Sequence, residues 1–529
     1  MDILNSLLGG FAGALSPMNL VWVLIGCILG TAVGVLPGLG SSMAVALLLP
    51  MTFALDPTAA FILFAGVYFG GLFGDSTMAI LMNTPGSGSA IASTFEGHAM
   101  AKAGRAPQAL ATAAIGAFIG GMVSSIVVVF LAPALAELST AFGPAEYLAL
   151  ALFAFVATSS VVADSVTAGL ASLAIGLSLA LVGIDSVTGI ERFTSGAPEL
   201  FDGISLITVT VAILALGEVF RVVSRARSEP VRSAQPLTRW PRLSRREMKE
   251  AAPAWARGTA IGLPFGVIPV GGSEVPTFMA YSLERRLDKR RPSPKFGRGA
   301  IRGLAAPEAA GNATTGTAMA SLLALGLPVS STAAIMLAAF RQYGIQPGPL
   351  LFERAPDLVW ALLASFFIAM IVLLLLNLPL AGLWAKLIDI PRPYLYAGIA
   401  VFCALGVYAT SASTFELWLL LGLALLGFAM RRFGIPLAPL MIGMVLGPLA
   451  ETSSRDALLS SGGDATVLVS SPIALAIYAV LLVVITIAAI GKLRARSGRN
   501  DPLAAVGRAA GSHTESVRTV DEKRPKRRK

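Results

Sequence analysis

Apolar runs close to the length that crosses a bilayer recur along most of the chain, and they limit its possible folds more than any other feature. The clearest are 108–135, 165–181, 204–220, 358–376, 417–430 and 473–490. A soluble protein carries roughly a quarter charged residues. Here 13% are charged and the mean hydropathy is +0.76. Lipid must therefore be the solvent for most of the surface. The expected fold is all-α and polytopic, with about 11 or 12 spans including hairpins.

The net charge of +10 is unevenly placed. No Lys or Arg precedes Lys102, and the basic residues gather in 221–257, in 285–302 and from 492 onward. These clusters flank apolar spans, so the positive-inside rule explains them better than nucleic-acid binding does. Cys27 and Cys403 both lie in apolar stretches, and no disulfide framework follows. His98 and His513 are too few for a histidine metal site. The first residues lack a positive n-region, so a cleaved signal peptide is not expected. The basic end, 492–529, reads as a disordered cytoplasmic tail.

The chain also repeats itself. Gly34-Val35-Leu36-Pro37-Gly38-Leu39-Gly40-Ser41 matches Gly266-Val267-Ile268-Pro269-Val270-Gly271-Gly272-Ser273. Thr84-Pro85-Gly86-Ser87-Gly88-Ser89-Ala90 resembles Leu327-Pro328-Val329-Ser330-Ser331-Thr332-Ala333, and Gly104-Arg105-Ala106-Pro107 resembles Gly344-Ile345-Gln346-Pro347. The matches keep their order and nearly their separation, which argues for duplication. Equivalent loops carry opposite charge. The loop 51–58 has only Asp56, whereas 285–302 holds eight Lys/Arg; Lys102 and Arg105 mark 97–107, whereas 341–357 is balanced. That reversal is the mark of two inverted-topology repeats. The expected division is 1–223 and 255–491 for the repeats, joined by a basic cytoplasmic linker, 224–254. The N-terminus is expected outside and the C-terminus inside.

Each half contains apolar segments interrupted by Gly, Pro, Ser, Thr and Asn, at 34–42, 70–93, 262–277 and 311–332. Broken helices or re-entrant hairpins at membrane depth are tolerated where protein or a water-filled cavity replaces the lost backbone bonds. Half-helix N-termini attract anions, and carbonyls at C-terminal ends hold cations. An isolated Gly-x-x-x-Gly such as Gly30 with Gly34 reads as close helix packing. The paired, polar breaks instead predict a substrate site. It takes Gly38, Gly40, Ser41, Ser42, Asn83, Thr84, Pro85, Gly86 and Ser87 from the first half. Gly271, Gly272, Ser273, Asn312, Thr314, Thr315, Pro328, Ser330, Ser331 and Thr332 face them from the second. Carboxylates at membrane depth are costly and usually functional. Asp75 and Glu308, with Asn83 and Asn312, are the candidates for a coupling ion. Glu274 and Glu308 also have a plain alternative, pairing with the 285–302 basic cluster.

At these motifs the sequence resembles the large membrane subunit of the tripartite tricarboxylate transporters. The resemblance is carried by Gly34-Val35-Leu36-Pro37-Gly38-Leu39-Gly40, Leu47-Leu48-Leu49-Pro50-Met51-Thr52-Phe53, Asn83-Thr84-Pro85-Gly86 and Met100-Ala101-Lys102-Ala103-Gly104-Arg105-Ala106. It continues at Ala306-Pro307-Glu308-Ala309-Ala310-Gly311-Asn312-Ala313, Leu325-Gly326-Leu327-Pro328 and Gly344-Ile345-Gln346-Pro347-Gly348-Pro349-Leu350. The resemblance implies uptake of a small carboxylate driven by Na⁺ or H⁺, with no other cofactor. It implies two partners, a small membrane subunit and a periplasmic binding protein, and a place in a bacterial inner membrane. The sequence departs from the family pattern at Asp75, Val270, Gly311 and Val329. The absence of a Gly-x-x-x-x-Gly-Lys-Ser/Thr phosphate loop agrees with secondary transport.

Two other classes fit less well. A channel or membrane scaffold also suits duplicated broken helices, but a channel would not concentrate its solute. An intramembrane protease needs a Ser–His or paired-Asp constellation. His98 lies in a charged loop, His513 in the tail, and Phe73-Gly74-Asp75 supplies at most half of an aspartyl pair. No enzymatic activity is expected.

Overall fold

The computed structural model describes residues 3–36, 40–161, 165–185, 187–225, 240–268, 272–289, 295–387, 390 and 392–497. Among them the protein is helical nearly throughout, with strands confined to the antiparallel pair Gly183–Ile184 and Glu191–Arg192. Seven helices are long and apolar enough to cross a membrane, and four shorter apolar helices accompany them. The chain is an all-α polytopic membrane protein.

Ten helices form two matching series around the site, five from each half. The first half supplies α1 (Pro17–Gly34), α2 (Ser41–Leu48), α3 (Pro57–Met82), α4 (Ile91–Met100) and α5 (Ala106–Ser139). The second supplies α6 (Arg245–Val267), α7 (Glu274–Asp288), α8 (Ile301–Leu325), α9 (Ser331–Gln342) and α10 (Pro356–Asn377). The two series run in parallel. A long helix ends at a Gly-Pro break, a shorter one follows, and then comes a central helix closed by a left-handed residue. That residue is Asn83 after α3 (φ 57°) and Gly326 after α8 (φ 66°).

Local chemistry sets the boundaries. Asp56 accepts the Ala59 N–H at 3.1 Å and Pro57 takes the first helical position, so α3 starts cleanly. Ser244 and Glu247 form a reciprocal capping box, and α6 therefore begins at Arg245. This lies inside the stretch expected as linker; 226–239 fall outside the described residues, as do Gly38 and Gly271 and all but the first few residues of the basic tail.

The central helices are buried all round: every residue from Ala59 to Leu81 in α3, and from Ile301 to Ala324 in α8. A helix without a polar face belongs inside other helices. Each is joined to its long neighbour by a seam of glycines. Gly26, Gly30 and Gly34 of α1 lie against the backbone of Leu63, Val67 and Gly71 in α3. Gly258, Gly262 and Gly266 of α6 lie in the same way against Ala306, Ala310 and Thr314 in α8. At all six positions an added Cβ would overlap a carbonyl oxygen, so the packing reading of Gly30 and Gly34 holds and extends to the second half. Side chains reinforce the second seam, since Thr314, Thr317 and Ser321 each donate to an α6 carbonyl at 2.9 Å. On the far side of α1, Met18, Val21, Leu24 and Ile28 form an exposed apolar stripe suited to lipid.

The halves interlock. The helices α4 and α5 of the first half pack on α8, and α9 and α10 of the second pack on α2 and α3. Buried Glu96 on α4 accepts the N–H groups of Gly297, Gly299 and Ala300 at 2.7–2.9 Å, tying the loop before α8 in place. Arg302 of the basic cluster pairs with buried Glu284, which also takes Arg257 at 2.5 Å.

Candidate functional site

Between the halves lies a cavity of about 190 Å³. The first turns of three helices line it. Gly40, Ser41 and Ser42 open α2; Gly272, Ser273 and Glu274 open α7; Ser330, Ser331 and Thr332 open α9. The loop 86–89, which leads into α4, forms a further wall. The first N–H groups of a helix have no partner within it and carry the positive end of its dipole. Gly40 and Ser273 provide no side-chain cap to α2 and α7, whereas Ser330 caps α9 through the Ala333 N–H at 3.2 Å. No Lys or Arg lines the cavity among the described residues. Its means of holding an anion are thus backbone N–H groups and hydroxyls, three helices deep.

Other hydrogen bonds hold these walls across the halves. Ser41 and Thr332 face each other, Oγ to Oγ1, at 3.4 Å. Tyr68 of α3 donates to the carbonyl of Thr315 in α8 at 3.2 Å. The Glu274 carboxylate lies over the backbone of Gly88, an approach that a Cβ at position 88 would block.

A second, much smaller cavity of about 20 Å³ adjoins the first, with Leu72 and Ser89 in both walls. It sits between α3, α4, α7 and α8, lined by Asp75, Ser93, Thr277, Glu308 and Asn312 among others. Asp75, Glu308 and Asn312 are all at least nine-tenths buried. The Asp75 carboxylate accepts the Gly86 N–H at 2.5 Å and the Ser87 hydroxyl. Glu308 accepts Ser93 Oγ at 2.5 Å and Ser76 Oγ at 2.7 Å.

Of the residues expected in a substrate site, twelve line the larger cavity: Gly40, Ser41, Ser42, Gly86, Ser87, Gly272, Ser273, Thr314, Thr315, Ser330, Ser331 and Thr332. Asn312, expected in both the substrate and the coupling-ion sets, lies at the smaller one together with the coupling-ion candidates Asp75 and Glu308. Asn83, Thr84, Pro85 and Pro328 line neither. Asn83 is exposed because it stops α3 in the left-handed conformation, and its N–H returns to the Ala79 carbonyl at 3.2 Å. Asn83 therefore does not join Asp75, Glu308 and Asn312 at the smaller cavity.

Several wall residues are not singled out by reading the sequence. Tyr68 and Leu72 share a face of α3 with Asp75, so helical spacing from Asp75 would have found them, whereas Ser76 is its chain neighbour, a quarter-turn away. Thr158, Ala438 and Ile442 come from helices outside the matched motifs, and nothing in the sequence ties them to the site.

The model of the tripartite tricarboxylate transporter TctA family matches residues 20–442. Two curated proteins of Agrobacterium vitis are also similar. One is an uncharacterized 52.8 kDa protein in the TAR-I ttuC' 3' region, 40% identical over 496 residues, covering 94% of this chain and 98% of that protein. The other is an uncharacterized protein in the TAR-II ttuC' 3' region, 39% identical over 235 residues, covering 44% of this chain and 96% of that protein. No solved structure matches the chain.

Proposed function

Because the chain belongs to the tripartite tricarboxylate transporter TctA family, we propose that it is the substrate-translocating membrane subunit of a secondary active tripartite system. It imports small carboxylates together with Na⁺ or H⁺ across a bacterial inner membrane. A periplasmic binding protein delivers the substrate, and a small membrane subunit completes the transporter. The two halves are inverted-topology repeats, 1–223 and 255–491, with the N-terminus outside and the C-terminus cytoplasmic.

One observation carries this reading: the starts of α2, α7 and α9, drawn from both halves, meet at one cavity. Helix starts and hydroxyls bind a carboxylate without a fixed cation, so the anion is held and still released. The cavity is below the roughly 300–1,000 Å³ of drug-sized sites, which favours a small substrate. A site shared between two halves also suits alternating access, in which one half moves against the other.

Uptake of labelled di- and tricarboxylates into proteoliposomes tests the proposal. The vesicles hold this chain and its small partner, with binding protein outside and an imposed Na⁺ or H⁺ gradient. Concentrative, saturable uptake is expected. Ser42→Ala and Ser331→Ala should each raise the half-saturating concentration roughly 2- to 10-fold, the worth of about 0.5–1.5 kcal/mol per hydrogen bond. Folded protein that concentrates no carboxylate under either gradient, with both partners present, would sink the reading.

A further inference from the structure

We infer that the small cavity between α3, α4, α7 and α8 binds one monovalent alkali cation, and that Asp75 connects this ion to the loop that walls the larger cavity. The role in coupling rests on the transport reading above; the binding itself does not.

Size decides what fits. A space of about 20 Å³ admits a single water-sized particle. Mg²⁺ keeps several of its waters and would need far more room. A bare monovalent cation fits. The chemistry of the wall agrees, since its side-chain ligands are oxygens alone: carboxylates, hydroxyls and an amide.

An unsatisfied atom points to the ligand. Asn312 is 3% exposed, and its Nδ2 donates to the Glu308 carbonyl at 3.0 Å. That bond fixes which end of the amide is nitrogen, and the oxygen is the end left over. Asn312 Oδ1 has no hydrogen-bond partner among the described residues. A buried amide oxygen without a partner is destabilising. A cation in the cavity would satisfy it. The same ion would offset part of the charge of the buried Asp75 and Glu308 carboxylates, which share this wall and accept only neutral donors among their hydrogen bonds.

Asp75 has a second attachment that the other ligands lack. Its oxygens hold Gly86 and Ser87, which line the larger cavity. An ion drawing on the Asp75 carboxylate therefore competes with, or braces, the hold on the 86–89 loop. Binding in either cavity must then alter affinity in the other by the same factor.

The test uses the purified full chain in nanodiscs, without substrate or partners. Thermal unfolding is followed as NaCl replaces choline chloride at constant ionic strength. A saturable rise in the midpoint is expected for the unaltered chain. Asp75→Asn and Asn312→Ala should each weaken the apparent Na⁺ affinity by roughly tenfold or more. Should those variants not fold, Ser89→Cys gives a second reading. Its thiol lines both cavities, the two native cysteines are buried, and Na⁺ should slow its modification by a small maleimide. Equal behaviour in Na⁺ and choline, or stabilisation unchanged in both variants, overturns the site, as does a response to pH alone. Either result leaves carboxylate uptake to be judged separately in proteoliposomes, where it could run on protons.

Discussion

Asn83 holds φ at 57°, a conformation that costs most side chains 1–3 kcal/mol but suits Asn and Gly. Its work is to end α3 and turn the chain toward the 86–89 loop. Asn83→Gly should therefore leave both the half-saturating concentration for uptake and the unfolding midpoint nearly unchanged. Asn83→Val should lower the midpoint by an amount worth about 1–3 kcal/mol. A large loss of substrate affinity in Asn83→Gly would return this residue to the site. The sequence places Asn83 beside its neighbours in a polar break, and there its part in capping and a part in binding look alike. Only the backbone angle separates them.

At the scale of elements, the hairpin Gly183–Ile184/Glu191–Arg192 is tied to the helix Ala438–Ser460 through charge. Asp185 receives Arg455 at 2.9 Å on both oxygens, and also the N–H groups of Val187 and Thr188. The Arg455 guanidinium, helped by those N–H groups, holds the Asp185 carboxyl well below the usual carboxylate range. A depressed value stabilises the fold above the unfolded-state pKa of about 3.9, and the effect is lost as pH falls through the folded value. The difference in unfolding midpoint between the unaltered chain and Asp185→Asn should thus stay constant from about pH 5 to 8 and shrink only in stronger acid. A difference that changes between pH 6 and 7 would show that another group controls the hairpin. Elements of this kind differ in how readily they can be read. The 358–376 run is plain because all but one of its own residues, Ser365, are apolar. The helix α8 is less so, since Gly, Ala and Thr suffice where protein on all sides replaces lipid. Of the expected interruptions, those after Gly34 and Val267 do end helices, whereas 70–82 and 311–325 run on as unbroken parts of α3 and α8, where burial on all sides lets Gly, Ser and Thr stand inside a helix. That Asn312 lies only at the smaller cavity and Asn83 at neither is not legible, since it depends on which way α3 and α8 turn toward each other.

Across the whole molecule, the proposed alternating access requires α2 and α9 to separate or slide. Cysteines at Ser41 and Thr332, whose oxygens are 3.4 Å apart, should cross-link on oxidation, stop uptake, and release it again with a reductant. Uptake that continues through a complete cross-link would locate the movement elsewhere. The glycine seams have a bearing on evolution as well. Along α1–α3 and α6–α8, backbone meets backbone, so the scaffold has almost no tolerance for drift. Apart from Tyr68 and Leu72 on α3 and Thr314, Thr315 and Ala318 on α8, much of the cavity wall is Ser, Thr and Gly at the starts of α2, α7 and α9 and in the 86–89 loop, where exchanging a hydroxyl or methyl leaves both seams untouched. A lineage built on this plan can therefore explore new substrates by single small-residue exchanges while inheriting its architecture unaltered.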